Sequence, residues 1–254
     1  MIQSANGSAD FEQIIAALAD NDPFGCRIVS LYRCYPPQLV FVDYWLISDE
    51  ESGEATGAIA RNGSNFILLL TDRTDLEETA SFMRVAGAEG IICSGKYELE
   101  LGRPSVTGPV LVCTEPTVNE NGCELITPDI RNAYDLIVRS ADENFRPPVF
   151  ENFYVDVNHK LRHNAMSLCG IEEDGALVAI AMTVAESDDG AVLGAVACLP
   201  EYRKRGFGSK VVGSLTARLL SQNERVYLHR AQNANAAFYE KLGFSECGTW
   251  REYE

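Results

Sequence analysis

Two turns rich in acidic residues and glycine, EEDG at 172–175 and ESDDG at 186–190, cut one long apolar stretch into three runs, MSLCGI, ALVAIAMTV and AVLGAVACL. Asp-Gly accepts positive φ and is a strong hairpin signal, so these runs predict an antiparallel three-strand meander over 166–199. The meander is followed at once by YRKRGFGSKVV, residues 202–212, with four basic residues and two glycines. Beyond it Gly208, Val211, Val212, Leu215 and Leu219 recur at helical spacing, which makes 202–212 a strand-to-helix junction.

The flanks extend the pattern. Upstream lie a strand, CELIT, a helix opened by Thr127 as N-cap with Pro128 in its first turn, and a second helical stretch after RPPVF. Downstream come a short strand, RVYLHR, a helix, NANAAFYEKL, closed by Gly243 in the left-handed conformation, and a last strand, FSECGTW. The first half repeats this order more faintly: YWLIS, TGAIA and NFILLL read as strands with a turn at Asn62-Gly63. A helix with a Thr74/Glu77 capping box and a strand, GIICS, follow. Its helix opens on TDRTDLEETASF, acidic and without the glycine pair, so that turn is not expected to bind what the second half binds.

TEPTVNENG, 114–122, is polar and aperiodic and reads as a linker. It divides the chain into domains at 1–118 and 121–254, and charge divides with it. Residues 1–120 hold 7 Lys+Arg and 18 Asp+Glu, a net of −11, against 14 and 19, a net of −5, for the rest. A total of −16 argues against nucleic-acid binding, which needs a broad basic face. No apolar run is long enough to span a bilayer and the first residues do not resemble a signal peptide, so a cytoplasmic protein is expected. The 8 cysteines form no CxxC pair, and free buried thiols without a metal are expected.

What small anion would a positive, glycine-hinged turn hold in so acidic a chain? The P-loop and dinucleotide fingerprints both fail, the latter because Val211 stands where a third glycine is needed. Arg203-x-x-Gly206-x-Gly208 after a strand and opening a helix does fit one chemistry. Glycines let successive backbone N–H groups face one hollow, together with the free N–H groups of the first helical turn, and this makes a diphosphate cradle. Arg203, Lys204, Arg205 and Lys210 add charge around it.

The order of elements, with RxxGxG and FYEKLGF at this separation, resembles the GNAT superfamily of acetyl-CoA-dependent N-acetyltransferases over residues 121–254. The resemblance implies an α/β (α+β) fold, a mixed, largely antiparallel central sheet flanked by helices, here in tandem with a degenerate first copy. It implies that pantetheine pairs with the edge of the fourth strand at Val196, Ala197 and Cys198. Arg203, Lys204, Arg205, Gly206, Phe207, Gly208 and Ser209 would hold the pyrophosphate. Tyr239 matches the tyrosine that protonates the departing thiolate. The asparagine usual seven residues earlier is Gln232 here, with Asn233 and Asn235 as alternatives for that contact. The segment after Gly243 is short, which leaves the family's seventh strand missing or supplied from elsewhere.

The implied reaction is N-acetylation of a primary amine, most simply of a small molecule, by direct attack. An aliphatic ammonium with a pKa near 10 must first lose a proton, and Glu186 and Asp156 are the candidate bases. A backbone N–H at 197 or 198 would face the developing oxyanion. Cys198 reads as a small apolar residue of the acyl pocket and not as a nucleophile, and His159 and His163 lack the acid that would complete a metal motif. A non-catalytic acetyl-CoA sensor or protein-binding module, a larger acyl group, and acetylation of a protein amino terminus stay open as alternatives.

Overall fold

The structure is a computed structural model of the 254-residue chain and describes residues 1–19, 22–115, 125–141, 147–222, 225–232 and 234–254. The chain divides into two compact units, unit 1 (Met1–Val110 with Cys247–Glu254) and unit 2 (Leu111–Glu246). The elements before the linker are β1 (Ile2–Ser4), α1 (Phe11–Ala19), α2 (Pro23–Cys34), β2 (Val42–Ser48), β3 (Ala55–Asn62), β4 (Asn65–Leu70), α3 (Leu76–Val85), β5 (Gly90–Ser94) and β6 (Ser105–Cys113). After it come α4 (Ile130–Ser140), α5 (Phe150–Arg162), β7 (Leu168–Glu173), β8 (Ala176–Ser187), β9 (Gly190–Cys198), a 3₁₀ turn (Pro200–Tyr202), α6 (Phe207–Leu220), β10 (Val226–His229), α7 (Ala236–Glu240) and β11 (Ser245–Tyr253).

In unit 2 the sheet order is β6-β10-β9-β8-β7, with residues 111–113 of β6 belonging to the unit. The predicted meander forms: β7 pairs antiparallel with β8, and β8 with β9. Asp174 and Gly175 both take positive φ in the first turn, +53° and +77°. The second turn differs from expectation. Ser187 pairs with Gly190, so Asp188 and Asp189 form the loop with ordinary φ and Gly190 joins β9. A Cβ at Gly190 would lie 3.1 Å from the Arg225 carbonyl, and packing rather than turn geometry accounts for it. Helix α6 crosses over to β10, which runs parallel to β9, and a parallel pair needs such a connection.

Val211, Val212, Leu215 and Leu219 of α6 are fully buried against one face of the meander, with Ala179, Ala181 and Leu193. The other face carries Ile180 and Met182 beneath Ala133, Leu136 and Ile137 of α4 and Phe153 and Val157 of α5. The side chains of β8 therefore alternate between two buried faces, which is why its sequence is apolar throughout rather than at every second residue.

Unit 1, with order β1-β2-β3-β4-β5-β11, follows the same plan. β2, β3 and β4 form an antiparallel meander, α3 crosses over, and β5 runs parallel to β4. β11 then pairs antiparallel with β5, from Trp250 opposite Ser94 to Tyr253 opposite Ile91. The final strand thus extends past the expected FSECGTW and ends in unit 1, while the strand beside β10 in unit 2 is β6, from before the linker.

Three local expectations change. The N-cap of α4 is Asp129, whose Oδ1 accepts from the amides of Arg131 and Asn132, because a carboxylate two residues closer displaces Thr127 from the role. The capping box at Thr74/Glu77 does not form. Asp75 caps α3 and the Thr74 hydroxyl is turned to the Thr56 carbonyl at 2.5 Å. Of CELIT, Cys123 and Glu124 lie outside the described residues, and Ile126 forms only an isolated bridge with Gly170.

The Tyr253 hydroxyl accepts a 2.6 Å hydrogen bond from the buried Leu99 amide, which anchors β11 in unit 1. Tyr253→Phe strands that donor and is expected to cost about 1–3 kcal/mol of unfolding free energy, read by urea titration. An unchanged midpoint would show that β11 is not held this way.

Candidate active site

The site begins where a strand loses its neighbour. The register of β10 against β9 runs from Val226 opposite Ala191 to Leu228 opposite Leu193, and no further. β9 continues to Cys198, paired only with β8, as Val196 opposite Ala181, Ala197 opposite Ile180 and Cys198 opposite Ala179. Exposure tracks the change: residues 191–193 are buried and 194–198 are not. The Leu199 amide donates to the Val178 carbonyl at 3.0 Å, so strand alternation turns the backbone groups of Cys198 and Val196 to the open side and those of Ala197 toward β8. Val196 and Cys198 pack on the α6 face beside Phe238 and Tyr239, whereas Ala197 packs on the α4/α5 face.

The chain then turns through Pro200–Tyr202 into the basic loop. Lys204 takes φ +60° and Gly206, the N-cap of α6, takes φ +89°. The first intrahelical bond runs from the Lys210 amide to the Gly206 carbonyl at 3.0 Å. The amides of Phe207, Gly208 and Ser209 precede it and, among the described residues, no hydrogen bond takes them up, so this helix N-terminus is ready for an anion. The two glycines serve different ends. At Gly206 the positive φ strains any L side chain, although a Cβ there would meet nothing within 4 Å. At Gly208 the backbone is ordinary and a Cβ would lie 3.7 Å from the Phe238 ring, a normal contact. Among the described residues nothing forbids a side chain there, and what a Cβ would fill is the cradle itself.

The basic side chains are not equivalent. The Arg203 guanidinium donates from Nε to the Cys198 carbonyl at 3.2 Å and from Nη2 to the Ser140 carbonyl at 3.0 Å. Arg205 pairs with Glu173 at 3.3 Å and lies over the rings of Tyr202 and Phe207. Lys204 and Lys210 are exposed and make no ion pair among the described residues. Unit 1 has a different device at the corresponding turn: Asp75 Oδ1 accepts from the Glu78 amide at 2.8 Å, and Glu77 and Glu78 stand in the first turn of α3. That helix N-terminus is capped from within and carries carboxylates.

Tyr239, in α7, meets Phe238 and Phe244 edge-on at 4.9 and 5.9 Å, and its hydroxyl has no hydrogen-bond partner among the described residues. Burial pushes its pKa up to about 12, opposed by the charge of Arg230, so the phenol keeps its proton at neutral pH. Arg230 itself carries no signal in the sequence. Buried, it donates from Nη1 to the carbonyls of Ala231, Gln232 and Ala234 at 3.0–3.2 Å and pairs with Glu246 at 3.0 Å, which shapes the loop leading into α7. Gln232 and Asn235 are exposed on this loop, Asn235 at φ +55° as the N-cap of α7. Asn233 lies outside the described residues.

The two candidate bases stand apart. Glu186 accepts from the Thr183 hydroxyl at 2.6 Å and lies opposite Ala191, where the sheet is fully paired. Its backbone stands five positions along β8 from Ala181, the partner of Val196, about 16–17 Å at the usual rise per strand residue. Asp156 of α5 pairs with Lys160 at 2.9 Å, and the buried Lys160 ammonium also reaches the Val184 carbonyl at 3.4 Å. Val184 packs against Gly194, the first residue of β9 beyond the β10 pairing, where a Cβ would approach it to 2.3 Å. Thr183, which holds the Glu186 carboxylate, lies opposite Leu193, the last residue of β9 paired with β10, so both carboxylates are linked through β8 to the point where β9 opens.

Burial pushes the Cys198 thiol up from its usual pKa, opposed by the Arg203 charge, which keeps it a thiol. His159 and His163 stack at 4.1 Å, and His163 Nδ1 lies 2.8 Å from the His159 carbonyl. Among the described residues no group of three or more His, Cys, Asp or Glu is placed to hold a metal, and no helix is long and apolar enough to cross a membrane.

The glycines yield opposite expectations for stability. Gly206→Ala forces a left-handed alanine and costs about 1–2 kcal/mol, whereas Gly208→Ala in α6 gains about 0.4–1 kcal/mol by restricting the unfolded chain. Urea titration of the two variants checks the signs, and a destabilised Gly208→Ala would mean that the hollow is filled by protein.

Residues 130–244 match the family model described as Acetyltransferase (GNAT) family. No curated protein matches the chain. Among solved structures it is similar to a tandem GNAT protein from the clavulanic acid biosynthesis pathway, with 16% identity, a TM-score of 0.60 and coverage of 100% of this chain and 97% of that one. It is similar to an acetyltransferase from the GNAT family of Colwellia psychrerythraea, with 14% identity, a TM-score of 0.60 and coverage of 100% and 99%. A third is a GCN5-related N-acetyltransferase-like protein from Streptococcus suis 89/1591, with 18% identity, a TM-score of 0.57 and coverage of 98% and 99%. At these identities the likeness speaks for the fold, a largely antiparallel mixed sheet flanked by helices along the full chain, and the family match speaks for its second half. Residues 130–244 thus match the GNAT family of acetyltransferases, and the chain as a whole shares the fold of two-domain GNAT proteins.

Proposed function

We propose that this protein transfers an acetyl group from acetyl-CoA to a primary amine, most simply that of a small molecule, in the cytoplasm. The reading is carried by one observation: the open edge of β9 leads straight into a helix N-terminus whose amides 207–209 are left without acceptors among the described residues. Acetyl-CoA would supply the activated acetyl thioester. The amides of Phe207, Gly208 and Ser209 would hold its pyrophosphate with charge from Lys204 and Lys210, and the backbone of Val196 and the amide of Cys198 would pair with the pantetheine arm. This assigns cofactor binding to the second domain, 121–254, and a structural or acceptor-side role to the first, 1–118, whose corresponding helix start is occupied by Asp75.

Tyr239 would donate its hydroxyl proton as a hydrogen bond to the departing sulfur. A phenol near pKa 12 is a weaker acid than a thiol near 8.5, so its contribution is to stabilise the thiolate by that bond rather than to complete proton transfer. Asp156 or Glu186 would be the base that takes a proton from the acceptor ammonium, which the α4/α5 side would bind. Gln232 or Asn235 would contact the cofactor from the loop shaped by Arg230.

A second reading, a non-catalytic acetyl-CoA-binding module, draws on both carboxylates being engaged already, Glu186 by Thr183 and Asp156 by Lys160. Tyr239→Phe separates the two. In an enzyme it lowers turnover by about a hundredfold while leaving acetyl-CoA affinity in place; in a binding module no amine releases CoA from the wild type.

Calorimetric titration with acetyl-CoA tests the cofactor site, and Gly208→Ala is expected to lose binding while keeping its fold. Silence of the wild type at millimolar acetyl-CoA would end the proposal. A thiol-release screen over amino acids, polyamines, aminoglycosides and short peptides tests the acceptor class. Because the phenol stays protonated, the rate is expected to climb with pH as the amine loses its proton. A falling limb between pH 8 and about 10 would show that another group is the acid.

A further inference from the structure

We infer that Arg203, despite its place at the head of RxxGxG, is a positioning residue that ties α4 to the open edge of β9 and does not act as a phosphate ligand. The inference rests on the reading of the α6 cradle as a CoA site. Cys198 is the last residue of β9 and its carbonyl faces the open side, while Ser140 is the last residue of α4. One guanidinium satisfies both carbonyls, Nε on Cys198 at 3.2 Å and Nη2 on Ser140 at 3.0 Å.

The carbonyls of a final helical turn lack intrahelical donors and carry the negative end of the helix dipole, so a cation held there is doubly matched. A second link runs the opposite way: Arg139, in the last turn of α4, reaches Glu201 in the 3₁₀ turn at 2.9 Å. Two side chains of opposite chain direction thus fasten the end of α4 to the segment that leads into the cradle. The planar fork of arginine can hold two carbonyls at a fixed separation, and the single ammonium of lysine cannot. Lys204 and Lys210, exposed and without ion pairs among the described residues, are left to face phosphate oxygens. The consequence is mechanical: α4, on the acceptor side, keeps its place relative to the strand edge on which the thioester would lie.

Arg203→Lys and Arg203→Gln, with Lys210→Gln as the comparison, test this by three readouts. CoA titration at low and raised ionic strength should give both Arg203 variants an affinity within about threefold of wild type and an unchanged salt dependence, whereas Lys210→Gln should weaken binding and flatten that dependence. Amide hydrogen exchange at 138–141 in the free protein should quicken by about tenfold in both Arg203 variants, lysine failing to restore protection. For whichever amine the thiol-release screen identifies, its KM should rise about fivefold or more while the KM for acetyl-CoA holds. Loss of CoA affinity in Arg203→Gln that Arg203→Lys restores, or unchanged exchange in both, would overturn the inference. Absence of CoA binding by the wild-type chain would instead remove the cofactor reading and leave the exchange readout to decide the tie.

Discussion

The site depends on the parallel pairing of β9 and β10 ending at Leu193. β10 has four residues and β9 has nine, so the second half of β9 has hydrogen-bonding groups on one edge that no strand takes up. An exposed edge of this kind ordinarily invites aggregation, and proteins cover it or use it. Here it is short, runs directly into a turn, and is followed by a helix whose own first amides are also unpaired. Edge and helix start are joined by that turn, and each carries backbone groups without partners among the described residues, which suits a long ligand with amides at one end and phosphates at the other.

The two units show what makes such a corner open or closed. Both have a meander, a crossover helix and a parallel strand, so topology alone does not decide the matter. The helix start does. In α3 a side-chain carboxylate from Asp75 occupies the amide of Glu78 and two further acids add negative charge. In α6 the cap is a glycine with no side chain to offer, held at a positive φ, and the first turn carries no acid. One has a carboxylate of the protein on its third amide, and the other has no such acceptor among the described residues.

The same logic explains how a chain of net charge −16 could hold a diphosphate. Backbone dipoles act over the first turn of a helix and are little affected by distant carboxylates, which the Debye length screens. Of the four basic residues that crowd the motif, all exposed, two are engaged by polar groups of the protein, Arg203 by carbonyls and Arg205 by Glu173, and Lys210 lies over the Phe207 ring. Counting basic residues in a loop overstates the charge that faces a ligand, because guanidinium groups are also good partners for carbonyls and aromatic faces.

The strands around Asp174-Gly175 and Asn62-Gly63, the helix with Val211, Val212, Leu215 and Leu219, and the glycine-hinged junction were legible in the amino-acid sequence because each rests on short-range periodicity or on φ. Helix α2 was not: nine of its twelve residues are buried, so it has no polar face to set a period. β6 was hidden by Gly108 and Pro109 within it, residues that ordinarily speak against a strand. The sequence by itself determined which residues form the meander and where a cradle could open, since backbone conformation is a local property. Only the tertiary structure decided that β9 outlasts β10, that Arg203 turns to Ser140, that Arg230 pairs with Glu246 and that Lys160 reaches Val184. Each of these is a pairing between residues far apart in the chain, set by which segments pack side by side, and no local pattern records it.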